Sequence, residues 1–204
     1  YEGVRLPSGV PHPRIACIEV EEEMRSHPHY KSPLGGPNRG RGVAVGYWFN
    51  NGMASSATIN VNTDGTISLL TGSVDIGGSR PALAMQAAEI LGLEADDVSP
   101  SVADTDSVGW TAVTGGSRTT FSTGIAVITA AEGVKRQMAG RAALIWETQP
   151  ESVEFKDGVF FSTKNANDRI TFKELAGKLM ATGGPVTESA HSNPRQVGPG
   201  IAGN

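Results

Sequence analysis

The stretch Gly-Gly-Ser-Arg occurs twice, as Gly77, Gly78, Ser79, Arg80 and as Gly115, Gly116, Ser117, Arg118, each time where a segment with helical apolar spacing begins. The first turn of a helix leaves backbone N–H groups without intrahelical partners and carries a partial positive charge, which suits an anion. Two glycines ahead of it remove the Cβ atoms that would hold a phosphate off, and the serine hydroxyl and arginine guanidinium add donors fitted to phosphate oxygens. Thr119 and Thr120 add two further hydroxyls to the second copy. Together the copies point to a ligand carrying more than one phosphate. Serine after Gly-Gly is also the ordinary N-cap of a helix that binds nothing, and that reading stays open. Neither copy has the G-x-G-x-x-G or G-x-x-x-x-G-K-[ST] spacing, so a Rossmann fingerprint or a P-loop does not explain them.

The elements that must carry these entrances follow from periodicity. "SATINVNTDGTISLLTG" (56–72) alternates Ile59 and Val61 with Ile67 and Leu69 around Asp64-Gly65, a β-hairpin pattern. "RPALAMQAAEILGL" (80–93) sets Leu83, Ala84, Ala87, Ala88 and Leu91 on one helical stripe, with Pro81 near its start and Gly92 near its end. "DVSPSVAD" (97–104) reads as a further strand, "GWTAVTGGSR" (109–118) as a loop, and 119–146 as one long helix whose first half is small and apolar. A second hairpin, "SVEFKDGVFFST", turns at Asp157-Gly158, and "TFKELAGKLMATGG" (171–184) reads as a helix with a Thr171/Glu174 capping box, ended by Gly183-Gly184. Upstream, "GVAVGYWFNNG" (42–52) reads as a strand in which Tyr47 and Phe49 alternate with Trp48, and "RIACIEVEEEMRS" (14–26) as one short helix in an otherwise irregular arm. The expected organisation is an arm over 1–41 and a domain over 42–204. Helices and strands mix without strict β-α-β alternation, which gives an α+β fold of mixed sheet hairpins packed with helices.

The 204 residues are 38% hydrophobic and 19% charged, with 26 glycines and a net charge of −4. That is a globular composition without a clustered basic face, so neither nucleic acid nor an anionic membrane is an expected partner. No apolar run reaches the roughly 18 residues of a membrane span. The single cysteine, Cys17, excludes an internal disulfide and any multi-cysteine metal site. The cytoplasm is the default compartment and the periplasm stays open. The chain opens at Tyr1 without an initiator methionine, and both ends read as cut from something longer.

Other chemistry-bearing residues have ordinary explanations. His12, His27 and His29 with Cys17 lie beside prolines in the irregular arm, which argues against a metal cluster, and no metal ligand is assigned. Asp104 and Asp106 read as loop carboxylates that cap backbone N–H groups. Lys135, Arg136 and Arg141 read as a solvated helix face, and Trp48, Trp110 and Trp146 as packing residues.

"LLTGSVDIGGSRPALAMQAAEILGL" followed by "DTDSVGWTAVTGGSRTTFSTGIAV" resembles the second molybdopterin-binding region of the large subunit of molybdenum hydroxylases, the xanthine dehydrogenase and aldehyde oxidoreductase family. "RLPSGVPHPRI" and "HPHYKSPL" resemble the linker before that region, and "GPGIAGN" the start of the strand after it, so the likeness covers nearly the whole chain. The resemblance implies a molybdenum-cofactor-binding domain and a pterin dithiolene holding molybdenum, in some members extended to a cytosine dinucleotide. It aligns Gly77, Gly78 and Ser79 with a Gly-Gln-Gly motif, and Gly115, Gly116, Ser117 and Arg118 with the loop beneath the molybdenum. The glutamine that many members carry, whose amide donates to the cofactor, is replaced by Gly78, with Arg80 as its candidate substitute.

The same resemblance implies oxidative hydroxylation of an aldehyde or N-heterocycle with water as the oxygen source. It implies iron-sulfur and flavin modules in partner subunits or domains, and a catalytic glutamate in a Gly-x-Gly-Glu motif that this chain lacks. The expected cofactor-binding residues are therefore Gly77, Gly78, Ser79, Arg80, Gly115, Gly116, Ser117, Arg118, Thr119 and Thr120, with no catalytic residue and no activity in the fragment alone. Two alternatives remain at this point: a non-catalytic α+β interaction module whose glycine turns are only caps, and a phosphometabolite-binding domain centred on Asp104 and Asp106.

Overall fold

The computed structural model describes residues 4, 5, 9, 11, 16–46, 50 and 52–194. Two compact units divide the chain, one of Tyr1–Asn50 with Val197–Asn204 and one of Asn51–Gln196. In the first, α1 (Cys17–Ser26) and the single turn α2 (Pro28–Lys31) bury no residue, in keeping with the loose apolar spacing there. The His27 ring accepts a hydrogen bond from the His29 N–H at 3.2 Å and Pro28 takes the first helical position, so this histidine caps a helix. The strand expected from residue 42 is corrected over 42–46, which carry no strand structure. Val43 and Val45 are 55% and 71% exposed, and β propensity without a neighbouring strand does not make a strand. Tyr47, Trp48, Phe49 and His12 lie outside the described residues.

The second unit runs β1 (Ser55–Val61), β2 (Ile67–Thr71), α3 (Ser79–Leu91), β3 (Val98–Val102), a π-helical turn (Thr119–Thr123), α4 (Gly124–Ile145), β4 (Val153–Lys156), β5 (Val159–Ser162), β6 (Arg169–Thr171), α5 (Phe172–Ala176) and β7 (Val186–Ser192). The first hairpin has the expected register, with Ile59 opposite Leu69 and Val61 opposite Ile67. Asp64 closes its turn by accepting the Thr66 N–H at 2.9 Å. From β2 the chain crosses over through α3 to β3, which lies parallel to β2, while β7 pairs antiparallel with β1. The sheet order is β3-β2-β1-β7, and β4-β5-β6 form a separate antiparallel sheet. Helices on mixed and antiparallel sheets make this the α+β fold read from the sequence.

Period-two alternation puts Ala57, Ile59, Val61, Ile67 and Leu69 in the core, where they meet Leu83, Ala87 and Leu91 of α3 and Ala126, Ala130, Val134 and Met138 of α4. Alanine at most contact positions of both helices lets them approach closely, so the core is thin and depends on backbone fit. Phe160 of the small sheet continues this core, its ring centroid 4.6 Å from Phe155 and 6.4 Å from Phe172. Trp146 is half-buried on it. Among the described residues no helix is long and apolar enough to cross a membrane.

Two expected helices change. The long helix is α-helical only from Gly124, because 119–123 form the π turn. The helix expected over 171–184 ends after one turn: the Thr171/Glu174 capping box is present, but the chain then tightens to a 3-10 turn at Leu179–Ala181, which buries Leu179 completely. Strand β7, "VTESAHS", goes unread in the sequence because its inward positions include Glu188. That carboxylate accepts from Gln137 Nε2 at 2.6 Å under α4, where the absence of a side chain at Gly133 makes room for it. Arg141 is no solvated residue either: it donates to the Thr182 carbonyl.

Backbone contact makes glycine obligatory at the end of α3 and leaves it replaceable at one position inside α4. Gly92 ends α3 at φ 61°, and a Cβ there would overlap the backbone of Gly158 in the β4–β5 turn. Gly140, inside α4, has nothing within 4 Å of its Cβ position. In denaturant unfolding Gly92→Ala is expected to cost at least about 2 kcal/mol, and Gly140→Ala to gain about 1 kcal/mol.

Candidate functional site

The two Gly-Gly-Ser-Arg stretches fold in opposite ways. At the first, Gly77 and Gly78 take φ 101° and 77°, which only glycine adopts readily, and bend the chain from the end of β2 into α3. The donors of this helix start are already met from within. Asp75 Oδ1 accepts from the Gly77 N–H at 3.0 Å, the Ser79 N–H at 3.1 Å and Ser79 Oγ at 2.8 Å, while Oδ2 accepts from Arg80 Nε at 2.9 Å. The Arg80 guanidinium first, then the Ser79 hydroxyl and the two N–H groups, hold the Asp75 carboxyl far below the usual carboxylate range. The chain's own carboxylate thus sits where the sequence alone suggests a phosphate. Asp75 is the residue that motif reading passed over, and its signal was an Asp two residues ahead of the glycine pair, the spacing of an Asx turn.

At the second entrance the arginine turns inward. Ser117 sits in the left-handed region at φ 52°, just after Gly116 at φ 62°, and the reversal drives the Arg118 side chain into the core, where it is 0% exposed. Its Nε donates to the Gly52 carbonyl at 3.0 Å, Nη1 to the Ala112 carbonyl at 2.9 Å, and Nη2 to the Ala54 carbonyl at 2.8 Å and to Ser55 Oγ. No carboxylate among the described residues pairs with it. Burial pushes its pKa down, yet a guanidinium stays charged at any physiological pH.

Hydroxyl groups extend this polar cluster. Ser55 Oγ, which accepts from Arg118, also shares a hydrogen bond with Thr123 Oγ1 at 2.8 Å, and Thr123 Oγ1 shares another with Ser73 Oγ at 2.7 Å. Ser122 Oγ donates to the Gly52 carbonyl and Ser192 Oγ to the Ser122 carbonyl, both at 2.5 Å. Ser73 precedes the first entrance, and Gln86 of α3 donates to the Thr120 carbonyl at 3.3 Å, so the starts of α3 and α4 are tied together.

The sequence-derived set therefore divides. Ser79, Arg118 and Thr119 are buried, while Gly77, Gly78, Arg80, Gly115, Ser117 and Thr120 are exposed, with Gly116 between. Nothing lies within 4 Å of the Cβ positions of Gly77, Gly78 or Gly115, so the backbone is bare at both entrances. Exposed apolar side chains flank them: Val74 and Ile76 before the first, Trp110 and Val113 before the second, and Phe121 after it. At 77% exposure Trp110 is not the packing residue its type suggests. Asp104 caps its own loop, accepting from the Asp106 N–H and Ser107 Oγ, both at 2.9 Å. Among the described residues no group of three His, Cys, Asp or Glu side chains is placed to hold a metal ion.

Asp75 links this geometry to pH. A carboxyl whose folded pKa lies below its ordinary 3.8 gives its full stabilisation above that value and loses it as pH falls through the folded pKa. The stability difference between the native chain and Asp75→Ala is expected to be constant from pH 8 to about 5 and to shrink below about 4. Urea unfolding across that range measures it, and a difference that grows on acidification would contradict the cap.

A family model for the molybdopterin cofactor-binding domain matches residues 19–200. Among solved structures, the chain is similar to Cu,Mo-CO dehydrogenase in its carbon monoxide reduced state, with TM-score 0.66 and 25% identity over 71% of this chain and 19% of that one. It is also similar to quinoline 2-oxidoreductase from Pseudomonas putida 86, with TM-score 0.61 and 24% identity over 71% of this chain and 20% of that one. The aldehyde oxidoreductase from Desulfovibrio desulfuricans matches 93% of this chain and 19% of its own length, with TM-score 0.61 and 21% identity. At those identities the last two speak to fold alone, and the chain spans about one fifth of the length of each relative. With the family model covering most of its residues, the chain belongs to the molybdopterin cofactor-binding domain family of the molybdenum hydroxylases.

Proposed function

We propose that this chain is the portion of a molybdenum hydroxylase large subunit that holds the molybdopterin cofactor at the second entrance. The observation that carries this reading is Gly115. It has no positive φ, and nothing lies within 4 Å of its Cβ position, so no packing inside the chain explains a glycine there. A ligand brought against the backbone would. The exposed Ser117 and Thr120 stand on the same short stretch and supply polar side chains to such a ligand. At the first entrance Gly77 and Gly78 leave open space at their Cβ positions, whereas the Gly77 N–H, Ser79 and Arg80 are engaged by Asp75. Arg118 and Thr119 lie beneath the surface and support the loop from inside.

When bound, the cofactor supplies a redox metal able to take two electrons from a C–H bond, with water as the source of the inserted oxygen. This chain's part is to bind and orient it. The substrate is an aldehyde or N-heterocycle, the cofactor is a molybdopterin that a cytosine nucleotide can extend, and the catalytic glutamate belongs to another part of the large subunit. Electrons leave through iron-sulfur and flavin groups of partner subunits or domains in the cytoplasm. The apolar side chains around the entrances are surface for the remaining domains of the large subunit to cover.

Gly115→Val tests the reading, since open space and an ordinary backbone conformation leave folding unaffected. In the intact large subunit purified from its native host, molybdenum by elemental mass spectrometry and released pterin are expected to fall at least about tenfold, the equivalent of about 1.4 kcal/mol of binding, at unchanged thermal midpoint. Full metal and pterin content in that variant would remove the second entrance from the cofactor site.

A further inference from the structure

We propose that Arg118 is a positioning residue: its side chain sets the conformation of the 113–117 loop and the π turn from inside the core, and does not itself touch the ligand. The inference rests on the cofactor reading above and goes beyond it, because the repeated tetrapeptide would assign both arginines to the ligand.

Three observations carry it. First, the guanidinium closes the loop on itself. Nη1 donates to the Ala112 carbonyl at 2.9 Å, so Val113, Thr114, Gly115, Gly116 and Ser117 form an excursion whose two ends one side chain holds at a set separation. Second, the same group moors that closure to the edge of β1, through the carbonyls of Gly52 and Ala54 and the hydroxyl of Ser55, while the Ala112 N–H donates back to the Ala54 carbonyl at 3.0 Å. Third, the Arg118 carbonyl accepts the Ser122 N–H at 2.6 Å, so the same residue is also bonded through its backbone into the π turn that follows it. At 0% exposure, with Nε and both Nη2 hydrogens bonded and one Nη1 hydrogen bonded, little of the guanidinium is left for a ligand.

Geometry excludes a simple substitute. The acceptors lie around a planar fork and belong to four residues in two chain segments, whereas a lysine ammonium is a point donor that cannot reach them together. The loop so held has two consecutive left-handed residues, Gly116 and Ser117, and Ser117 takes that conformation against its own preference. Such a conformation persists only where the surroundings over-determine it.

The test compares native and Arg118→Lys large subunit, purified from a host unable to make pterin, by hydrogen exchange. Positioning predicts an exchange rise of at least about tenfold confined to 113–123, with Ile59, Leu69 and Ala87 amides unchanged. In a pterin-producing host the folded, purified variant is expected to carry at least about tenfold less pterin than the native subunit, and a lowered thermal midpoint is expected alongside because buried carbonyls lose their donor. Unchanged exchange at 113–123 with pterin lost would mean that Arg118 touches the ligand, and a uniform rise that it only holds the core. A local rise with full pterin content would separate the loop from the ligand, and each of these three results overturns the proposal. If Arg118→Lys fails to accumulate, Ser55→Ala, which removes one acceptor of the same fork, is judged by the same criteria. A native subunit without pterin from the producing host would refute the cofactor reading, while the exchange pattern would still decide how the loop is held.

Discussion

A guanidinium sealed from water with no carboxylate beside it has one way to remain folded: its N–H groups must find carbonyls. In this protein they find those of Gly52, Ala54 and Ala112. Each of these carbonyls would itself be costly to bury without a donor, so donor and acceptors stabilise one another. Much of the surrounding structure depends on this exchange. The start of β1, the loop before the second entrance and the beginning of α4 come from distant parts of the sequence, and they meet at one planar group. The Ser55, Thr123 and Ser73 hydroxyls then pass the order on toward the first entrance.

This accounts for one four-residue sequence with two outcomes. After β2 the chain carries Asp75, a local anion within reach of the helix start, and Arg80 stays at the surface to pair with it. Before the second copy stands a loop whose carboxylate, Asp104, is occupied with Ser107 and the Asp106 N–H. No internal anion competes for that entrance among the described residues, and the arginine goes inward to neutral acceptors. A positive charge without a counter-charge beneath the open surface at Gly115 favours an anionic ligand above it. The same charge beside Asp75 has already been neutralised.

The core around these entrances is built to be thin. Alanines on α3 and α4 allow close helix contact, and glycines at 92 and 133 let a turn and a glutamate approach where any side chain would collide. Stability of this kind comes from fit, which suits a domain whose loops must stay in register for a bound group.

The hairpins, the α3 stripe and the capping box at Thr171 were legible because each rests on contacts between residues close in sequence: alternation, the 3.6-residue period, and side-chain to backbone bonds three residues apart. The family, too, was legible, since order and spacing of the glycine-rich entrances survive in linear text. What the sequence could not disclose was direction. Whether Arg80 and Arg118 face solvent or core depends on a carboxylate five residues upstream in one case, and on carbonyls more than sixty residues away in the other. Strand β7 escaped for a similar reason, because Glu188 is tolerated inside only where Gly133 and Gln137 make room and a donor for it. Local propensity and short-range hydrogen bonds determined the two hairpins, the α3 helix and the cap at Thr171. Tertiary structure alone decided which of two identical motifs keeps its arginine for the surface and which spends it on the core, because long-range acceptors exist only once the sheet has assembled.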